Sequence, residues 1–212
     1  ELDALFHGMG YRVLEGPWVE DEWHNFDALN IPSWHPARDS WDTFWLSDGN
    51  LLRTHTSPVQ IRAMRRFGAP LRCVVTARTF RNETIDATHE AVFNQIEGLV
   101  IDRQITPGHL FHSVDAILSA ILRRQVETRY RPSFFPFTEP SFECDIGRED
   151  GSWMELCGMG MVHPGVLEAG GIDPKQWSGF AFGLGIDRLA LSRFGIDDIR
   201  WFHSGDLRFL EQ

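Results

Sequence analysis

The chain has 212 residues, 42% of them hydrophobic, and a formal net charge of −10 at pH 7. This length suits one domain with a sizeable core, and no apolar run approaches the ~20 residues that span a bilayer. The acidic balance argues against a protein that grips a nucleic-acid backbone by itself, because such binding depends on neutralising phosphates.

The cysteines and the cationic residues indicate the cellular compartment and the kinds of ligand to expect. Cys73, Cys144 and Cys157 lack CxxC spacing and predict buried thiols in a reducing cytosol. A zinc site built from Cys157 and His163 is the alternative. Every cation except Lys175 is an arginine, which suits two-pronged binding of phosphate or carboxylate, although gene base composition produces the same bias. We expect a cytoplasmic location, and we interpret the chain, which starts without Met inside a helix-like pattern, as part of a longer polypeptide.

The first half of the chain alternates short elements with irregular segments. The predicted elements are a helix at 2–9, a strand at 11–20, a short helix at 21–29, a short strand at 41–46 and a helix at 58–68. Pro17 favours an edge or bulge for the first strand. Thr56 or Ser57 is the expected N-cap of the helix that Pro58 opens.

The second half contains longer elements. They are strands at 71–84 and 91–102, a helix at 107–127, strands at 128–137, 141–147 and 152–160, a short helix at 163–170, and a strand running into a helix at 179–195. Thr106 caps the long helix, whose apolar stripe is Leu110, Val114, Ile117, Leu118 and Ile121. Long strands, short loops and separate helical blocks predict an α+β fold with a central antiparallel sheet flanked by helices.

Polar side chains interrupt the hairpin predicted for 71–102. Alternate residues of a strand share a face, so Phe93, Gln95 and Glu97 point one way, and Arg81 and Glu83 share a face of the preceding strand. Burying unpaired charge costs several kcal/mol. The shared surface is therefore solvated, paired within itself, or turned toward a polar ligand.

Three further segments combine unusual residues. Gly183 and Gly185 precede Arg188 in "GFAFGLGIDR", which indicates either a flat ligand clamped by an arginine or a strand packed tightly under a helix. "PSFFPF", with Phe135 and Phe137, indicates core packing or an aromatic ligand slot. His55 in "RTHTS" precedes a helix, where structural histidines are common, and the absence of GxSxG argues against a hydrolase nucleophile.

Together these segments resemble class II aminoacyl-tRNA synthetases, and within them the bacterial phenylalanyl-tRNA synthetase α-subunit family. The opening helix and the strand with Pro17 match motif 1, Phe80 to Glu83 match the Phe-Arg-x-Glu of motif 2, and Gly183 to Arg188 match motif 3. Between them lie "NFDALNIP", "HPARD", "RTHTS", "FPF" and "GMVHPGVL". The resemblance covers essentially the whole chain as one catalytic domain, 1–212, without the family's N-terminal tRNA-binding extension.

The resemblance implies a role for each matching residue. Arg81 and Arg188, with His89, are the implied catalytic residues. The implied ATP-binding residues are Arg81, Glu83, His89, Phe93, Gly185 and Arg188. The implied phenylalanine-binding residues are Trp41, His55, Ser57, Gln95, Glu97, Phe135, Phe137, Ala181 and Gly183. Glu143 and Glu155 are the candidate Mg²⁺ ligands.

The resemblance also implies the reaction and the partners. L-phenylalanine and ATP would form phenylalanyl-adenylate, and the phenylalanyl group would pass to the 2′-OH of the terminal adenosine of tRNA(Phe). The family pairs two α with two β subunits, and Leu2, Leu5 and Phe6 are the candidate apolar contacts with β. Asp187 departs from the family's usual Glu-Arg pair, which displaces any contact made by Glu. The alternatives are a paralogue that binds ATP or phenylalanine without turnover, and a purely structural subunit.

Overall fold

The protein is built on a seven-stranded sheet with helices on both faces. The structure is a computed structural model, and it describes residues 1–38, 42–82, 90–148, 151–196 and 198–210. Its α-helices are α1 (Leu2–Gly8), α2 (Glu22–Asn25), α3 (Pro58–Phe67), α4 (Pro107–Leu122), α5 (Pro164–Ala169), α6 (Ile186–Phe194) and α7 (Leu207–Leu210). Its strands are β1 (Arg12–Leu14), β2 (Val19–Glu20), β3 (Leu51–Leu52), β4 (Leu71–Phe80), β5 (Val92–Asp102), β6 (Thr128–Phe135), β7 (Thr138–Gly147), β8 (Trp153–Val162) and β9 (Ser178–Gly185).

The strand order is β1-β4-β5-β9-β8-β7-β6. Every neighbouring pair from β4 to β6 is antiparallel, which confirms the predicted α+β class. The edge strand β1 differs, since it pairs parallel to β4. Parallel neighbours need a crossover instead of a hairpin, and here the chain between β1 and β4 contains α2, β3 and α3.

The strand predicted at 11–20 is two strands. Gly16 and Pro17 lie between β1, in the large sheet, and β2, which pairs with β3 in a separate two-stranded sheet. Pro17 lacks the N–H that a continuous ladder would need, which accounts for the break. Within the described part of the strand predicted at 41–46, only Trp45 forms a bridge, to Leu51.

One core lies between the sheet and the helices α1, α4 and α6. The predicted stripe of α4 is buried there, and Thr106 forms the expected N-cap with a capping box. Phe6 is fully buried in this core, and Leu2 and Leu5 pack against it. The suggestion that Phe6 contacts a second subunit is therefore wrong, because its side chain is used within this chain.

A second core lies on the opposite face of the sheet, under α3, α5 and the segment around α2. It contains Leu29, Ile61 and Val166 packed over Leu99 and Ala181 of the sheet. This face also holds the polar side chains of the hairpin. The predicted end of α3 at Gly68 is confirmed, and Gly68 has φ 68°, which suits a glycine.

The three cysteines are free and buried, as predicted. Burial raises the pKa of the Cys73 and Cys144 thiols to about 12. His163 N-caps α5, because its Nδ1 accepts from the Gly165 amide at 3.1 Å. Over the described ranges, no helix is long and apolar enough to traverse a bilayer.

Candidate functional site

Two adjoining cavities open on the second-core face of the sheet. The first has a volume of about 220 Å³ and the second about 260 Å³. Arg81, Gln95 and Glu155 line both, so the two cavities form one continuous site. The first cavity also includes Phe93, Gly185 and Arg188. The second also includes His55, Ser57, Glu97, Phe135, Phe137, Glu143, Ala181 and Gly183.

The floor of the second cavity is flat because two glycines face each other across neighbouring strands. Glu97 of β5 pairs with Gly183 of β9, which pairs with Gly158 of β8, which pairs with Glu143 of β7. Cross-strand partners share a face, so a carboxylate stands at each end of a bare glycine strip. A Cβ on Gly183 would lie 2.8 Å from Gln95 Nε2, and only glycine leaves that amide its place.

Two of the contacts of Arg81 help to hold its side chain at the junction of the cavities. Its Nε donates to the Thr54 carbonyl at 3.0 Å, and its guanidinium lies 5.0 Å from the centroid of the Phe93 ring. The Phe80 amide donates to the Arg53 carbonyl at 3.0 Å, which joins the end of β4 to the segment before α3. The motif-2 arginine is therefore oriented by "RTHTS", a segment far from it in sequence.

Glu97 is only 4% exposed and is satisfied by hydroxyl and amide donors. Thr56 Oγ1 donates to Glu97 Oε2 at 2.6 Å, and Gln60 Nε2 donates to Glu97 Oε1. Ser57 is the N-cap residue of α3, yet its hydroxyl makes no capping hydrogen bond, and its proximity to Glu97 acts to lower the pKa of that carboxyl. Burial nevertheless raises the pKa of Glu97 above its ordinary value.

Gln95 lies two residues before Glu97 on β5, on the same face of the strand and nearer the tip of the hairpin. Its Oε1 accepts from the Thr56 amide at 3.3 Å, which turns its Nε2 toward Gly183. Gln95 and Glu97 thus share one wall of the site, as the strand alternation predicted. In this wall Glu97 is buried beneath Thr56 and Gln60, whereas Gln95 is half-buried and lines both cavities.

His55 is buried and neutral. Burial and the nearby Arg81 charge lower the pKa of its imidazole to about 3. Its Nε2 donates to the Asn25 carbonyl at 3.1 Å, so the proton resides on Nε2. The Asn25 side chain in turn exchanges two hydrogen bonds with Thr54, at 3.0 and 3.3 Å. The buried asparagine therefore fixes both the ring and the turn that holds Arg81.

Aromatic rings close the far end of the second cavity. Phe135 and Phe137 stack with centroids 5.8 Å apart and planes 10° apart, and Phe137 also stacks on His55 at 6.1 Å. Ala181 lies on the floor beneath, 6% exposed. Phe134 is 72% exposed and points away from the cavities. The two rings of the "FPF" segment thus pack against each other and also line a cavity.

Both candidate metal ligands lie beside Arg131. Arg131 Nη2 lies 2.9 Å from Glu143 Oε2 and 3.6 Å from Glu155 Oε2. The same guanidinium holds Asp145, whose pKa is lowered by Arg131 and Arg129. Two carboxylates on neighbouring strands at the cavity mouth are oxygen donors of the kind that Mg²⁺ takes together with substrate phosphates. Glu143 and Glu155 therefore fit a magnesium ion chemically.

Arg188 and Asp187 face the first cavity from the start of α6. Arg188 Nη1 lies 3.9 Å from Glu155 Oε1, at the cavity wall opposite β5. Asp187 is 9% exposed and accepts from the Asn94 backbone amide at 2.7 Å and from Asn94 Nδ2 at 3.1 Å. The first cavity therefore offers two guanidinium groups and an aromatic ring.

The structure brings together every described residue of the predicted site. Trp41, Glu83 and His89 lie outside the described residues. Sequence reasoning missed Asn25, Thr56 and Gln60, which position the predicted residues. Gln60 was detectable in principle, because it is a polar residue within the apolar start of α3.

Comparisons with known proteins agree on one family. The model for "tRNA synthetases class II core domain (F)" matches residues 1–212. The chain is 50% identical over 223 aligned residues to the phenylalanine–tRNA ligase alpha subunit of Leptospira biflexa, covering 100% of this chain and 65% of that protein. It is 49% identical over 232 aligned residues to the phenylalanine–tRNA ligase alpha subunit of Novosphingobium aromaticivorans, covering 99% of this chain and 63% of that protein.

The chain thus spans just under two thirds of the length of these relatives. Among solved structures, it resembles the pyrrolysyl-tRNA synthetase of Desulfitobacterium hafniense with a TM-score of 0.74 and 19% identity. That match covers 97% of this chain and 71% of the solved chain. At this identity the match shows a shared fold, a class II synthetase core.

Proposed function

Because this chain belongs to the tRNA synthetase class II core-domain family, we propose that it is the catalytic module of a phenylalanine–tRNA ligase. It activates L-phenylalanine with ATP and transfers the phenylalanyl group to the 2′-OH of the terminal adenosine of tRNA(Phe). The observation that best supports this proposal is the continuity of the two cavities through Arg81. One guanidinium then faces both the nucleotide and the amino acid.

The second cavity is proposed to bind phenylalanine. The phenyl ring enters the slot between Phe135, Phe137 and Ala181, and the ammonium group lies toward Gln95 and Glu97. A buried carboxylate with few neighbouring cations is a costly feature that a substrate ammonium would offset. Neutral His55 and Ser57 add polar contacts without competing positive charge. The proposal extends to Trp41 at the same end of the amino acid and to Gly183 as its floor.

The first cavity is proposed to bind ATP. Phe93 and Arg188 sandwich the adenine over Gly185, and Glu83 accepts from the adenine amino group. Arg81 contacts the α-phosphate, and His89 reaches the β- and γ-phosphates. Attack of the phenylalanine carboxylate oxygen on the α-phosphorus forms the acyl-phosphate bond and expels pyrophosphate. This step needs no protein nucleophile, and requires alignment and positive charge at the developing anion.

Glu143 and Glu155 are proposed to hold Mg²⁺ with the phosphates of ATP. The ion would supply charge neutralisation at those phosphates. In its absence Arg131 balances the two carboxylates. Arg131 is also paired with Asp145, so it retains a partner when the two glutamates bind other ligands.

We propose the partners from the names of the relatives. An "alpha subunit" implies a β subunit, and we propose a heterotetramer of two α and two β subunits acting on tRNA(Phe). With a net charge of −10, this chain offers little general attraction for the RNA backbone. Most of the tRNA-binding surface should therefore lie elsewhere in the assembly. A cytoplasmic location follows from the proposed role in translation.

The proposed function is tested by ATP–pyrophosphate exchange in the complete enzyme, with this chain produced together with the β subunit. Exchange that depends on phenylalanine is expected. Binding of phenylalanine without exchange would favour the non-catalytic paralogue instead. Absence of both binding and exchange would favour a purely structural subunit.

Replacing Ala181 by glycine should admit phenylalanine analogues with a para substituent. Removing one methyl group from the cavity floor enlarges the slot where the ring lies, and discrimination of this size is worth ~1–3 kcal/mol, or about 10- to 100-fold. The measurement is kcat/KM for para-chlorophenylalanine against phenylalanine in the exchange assay. An unchanged ratio would place Ala181 away from the ring.

Replacing Gly158 by alanine should weaken phenylalanine binding about tenfold. The new Cβ would lie 2.9 Å from Cζ of Phe135, so the ring must move toward the slot. Overpacking of this kind costs about 1–3 kcal/mol. The matched control is Gly8→Ala, where a Cβ meets nothing within 4 Å. Equal KM values for phenylalanine in the two variants would contradict the placement of Phe135 at the slot.

A further inference from the structure

Asp187 occupies the point where the sheet ends and α6 begins. The antiparallel pairing of β5 with β9 ends at Gln95 and Gly185. The next partner of Asn94 would be residue 186, but there the chain has already turned into α6. The Asn94 amide therefore loses its strand partner, and a buried unpaired N–H is costly.

The carboxylate of Asp187 replaces that missing strand partner. One oxygen accepts from the Asn94 backbone N–H at 2.7 Å and the other from Asn94 Nδ2 at 3.1 Å. Both donors belong to Asn94, so the two hydrogen bonds fix the orientation of Asn94 relative to Asp187 as well as the distance between them. The negative charge also lies in the first turn of α6, where the helix dipole favours it.

This contact lies between the two sides of the first cavity. Asn94 is flanked by Phe93 and Gln95, and Asp187 is followed by Arg188. Phe93 and Arg188 line the same cavity from β5 and α6. We infer that Asp187 is a positioning residue for ATP, which sets the separation of Phe93 and Arg188 through Asn94. The inference rests on the proposed function of the first cavity.

The shorter side chain suits this role. An aspartate at the second position of α6 reaches the strand end directly. With this shorter side chain, Asp187 makes both hydrogen bonds to Asn94.

The experiment measures dissociation constants for ATP and for phenylalanine in the complete enzyme. Asp187→Ala should weaken ATP binding about tenfold, since two hydrogen bonds to a charged group are lost, and leave phenylalanine binding within about twofold. The matched control is Asp173→Ala. Asp173 also accepts from a backbone amide, of Lys175, and from a side-chain amide, of Gln176, but on the exposed surface. ATP binding by this control should match the wild type.

An exchange of the two side chains separates positioning from general stability. Asn94→Asp places two carboxylates together and should weaken ATP binding about tenfold or more. Asn94→Asp combined with Asp187→Asn restores one carboxylate and one amide, and should recover ATP binding to within about threefold. Amide hydrogen exchange of residue 94 should rise in Asp187→Ala and return in the double variant.

Each contrary outcome has a distinct meaning. Unchanged ATP binding in Asp187→Ala, or an equal loss of phenylalanine binding, would overturn the inference and leave the proposed function standing. A double variant no better than Asn94→Asp would also overturn it. Wild-type enzyme that binds no ATP would overturn the proposed function and with it the role of Asp187 in ATP binding. An unprotected Asn94 amide in the wild type would remove the contact itself.

Discussion

Replacing Arg81 by alanine should lower the rate of phenylalanyl-adenylate formation about 100-fold or more. Its guanidinium lies where the two cavities meet, so in the proposed function it faces the attacking carboxylate and the α-phosphate together. A charge contact that strengthens in the transition state is worth ~3 kcal/mol when lost. The measurement is phenylalanine-dependent pyrophosphate exchange under saturating substrates, with single-turnover adenylate formation to isolate the chemical step.

Two further variants define what Arg81 contributes. Arg81→Lys keeps the charge but loses the planar fork, and should recover only part of the rate. Arg72→Ala is the control, because Arg72 lies on β4, the strand that ends just before Arg81, is exposed, and donates to the Met9 carbonyl away from the site. If Arg81→Ala raised only the KM for ATP and left kcat intact, Arg81 would bind the ground state and not the transition state.

The sequence predicted the elements of the fold better than their connection. Helical periodicity located α4, which buries one face in the first core. The apolar runs of β5 and β9 located strands that contribute side chains to the cores on both faces of the sheet. The parallel pairing of β1 with β4 could not be predicted in this way, since periodicity describes a strand's faces and not its neighbours. The break at Gly16 and Pro17 follows from local chemistry that the sequence does display.

The side chains that line the candidate site could be predicted from the sequence, but the hydrogen bonds that hold them in place could not. The polar face of Gln95 and Glu97 follows from the two-residue period of a strand. Their partners Thr56 and Gln60 lie some forty residues earlier in the sequence, and only the packing of α3 over the sheet brings them together. The hydroxyls near the start of α3 illustrate the difference. Local rules assign Thr56 or Ser57 to capping the helix, whereas the Thr56 hydroxyl donates to the buried carboxylate of Glu97 instead.

The charge of Glu97 is the clearest conflict between stability and the proposed function. Its pKa is raised on folding by burial, so the folded chain binds a proton more readily than the unfolded chain. The stability contributed by Glu97 is fully present below its unfolded pKa and is lost as pH rises through the raised folded pKa. A neutral isostere does not lose this contribution, so its stability advantage over the wild type should grow as pH rises.

Replacing Glu97 by glutamine should lower kcat/KM for phenylalanine about 100-fold while raising the free energy of unfolding. Glutamine keeps the size of the side chain beside Thr56 and Gln60 but removes the charge proposed to meet the substrate ammonium, a loss of ~3 kcal/mol for a buried pair. In the wild type, kcat/KM should fall on acidification through the raised pKa of Glu97, and this loss should vanish in the variant. Urea unfolding at about pH 5 and about pH 8 measures the stability difference, which should grow with pH.

A matched control is Glu20→Gln, which replaces a buried carboxylate that pairs with Arg62 outside both cavities. Unaltered phenylalanine kinetics in Glu97→Gln would show that the buried charge is structural, and would remove the main reason for placing the ammonium group at this wall.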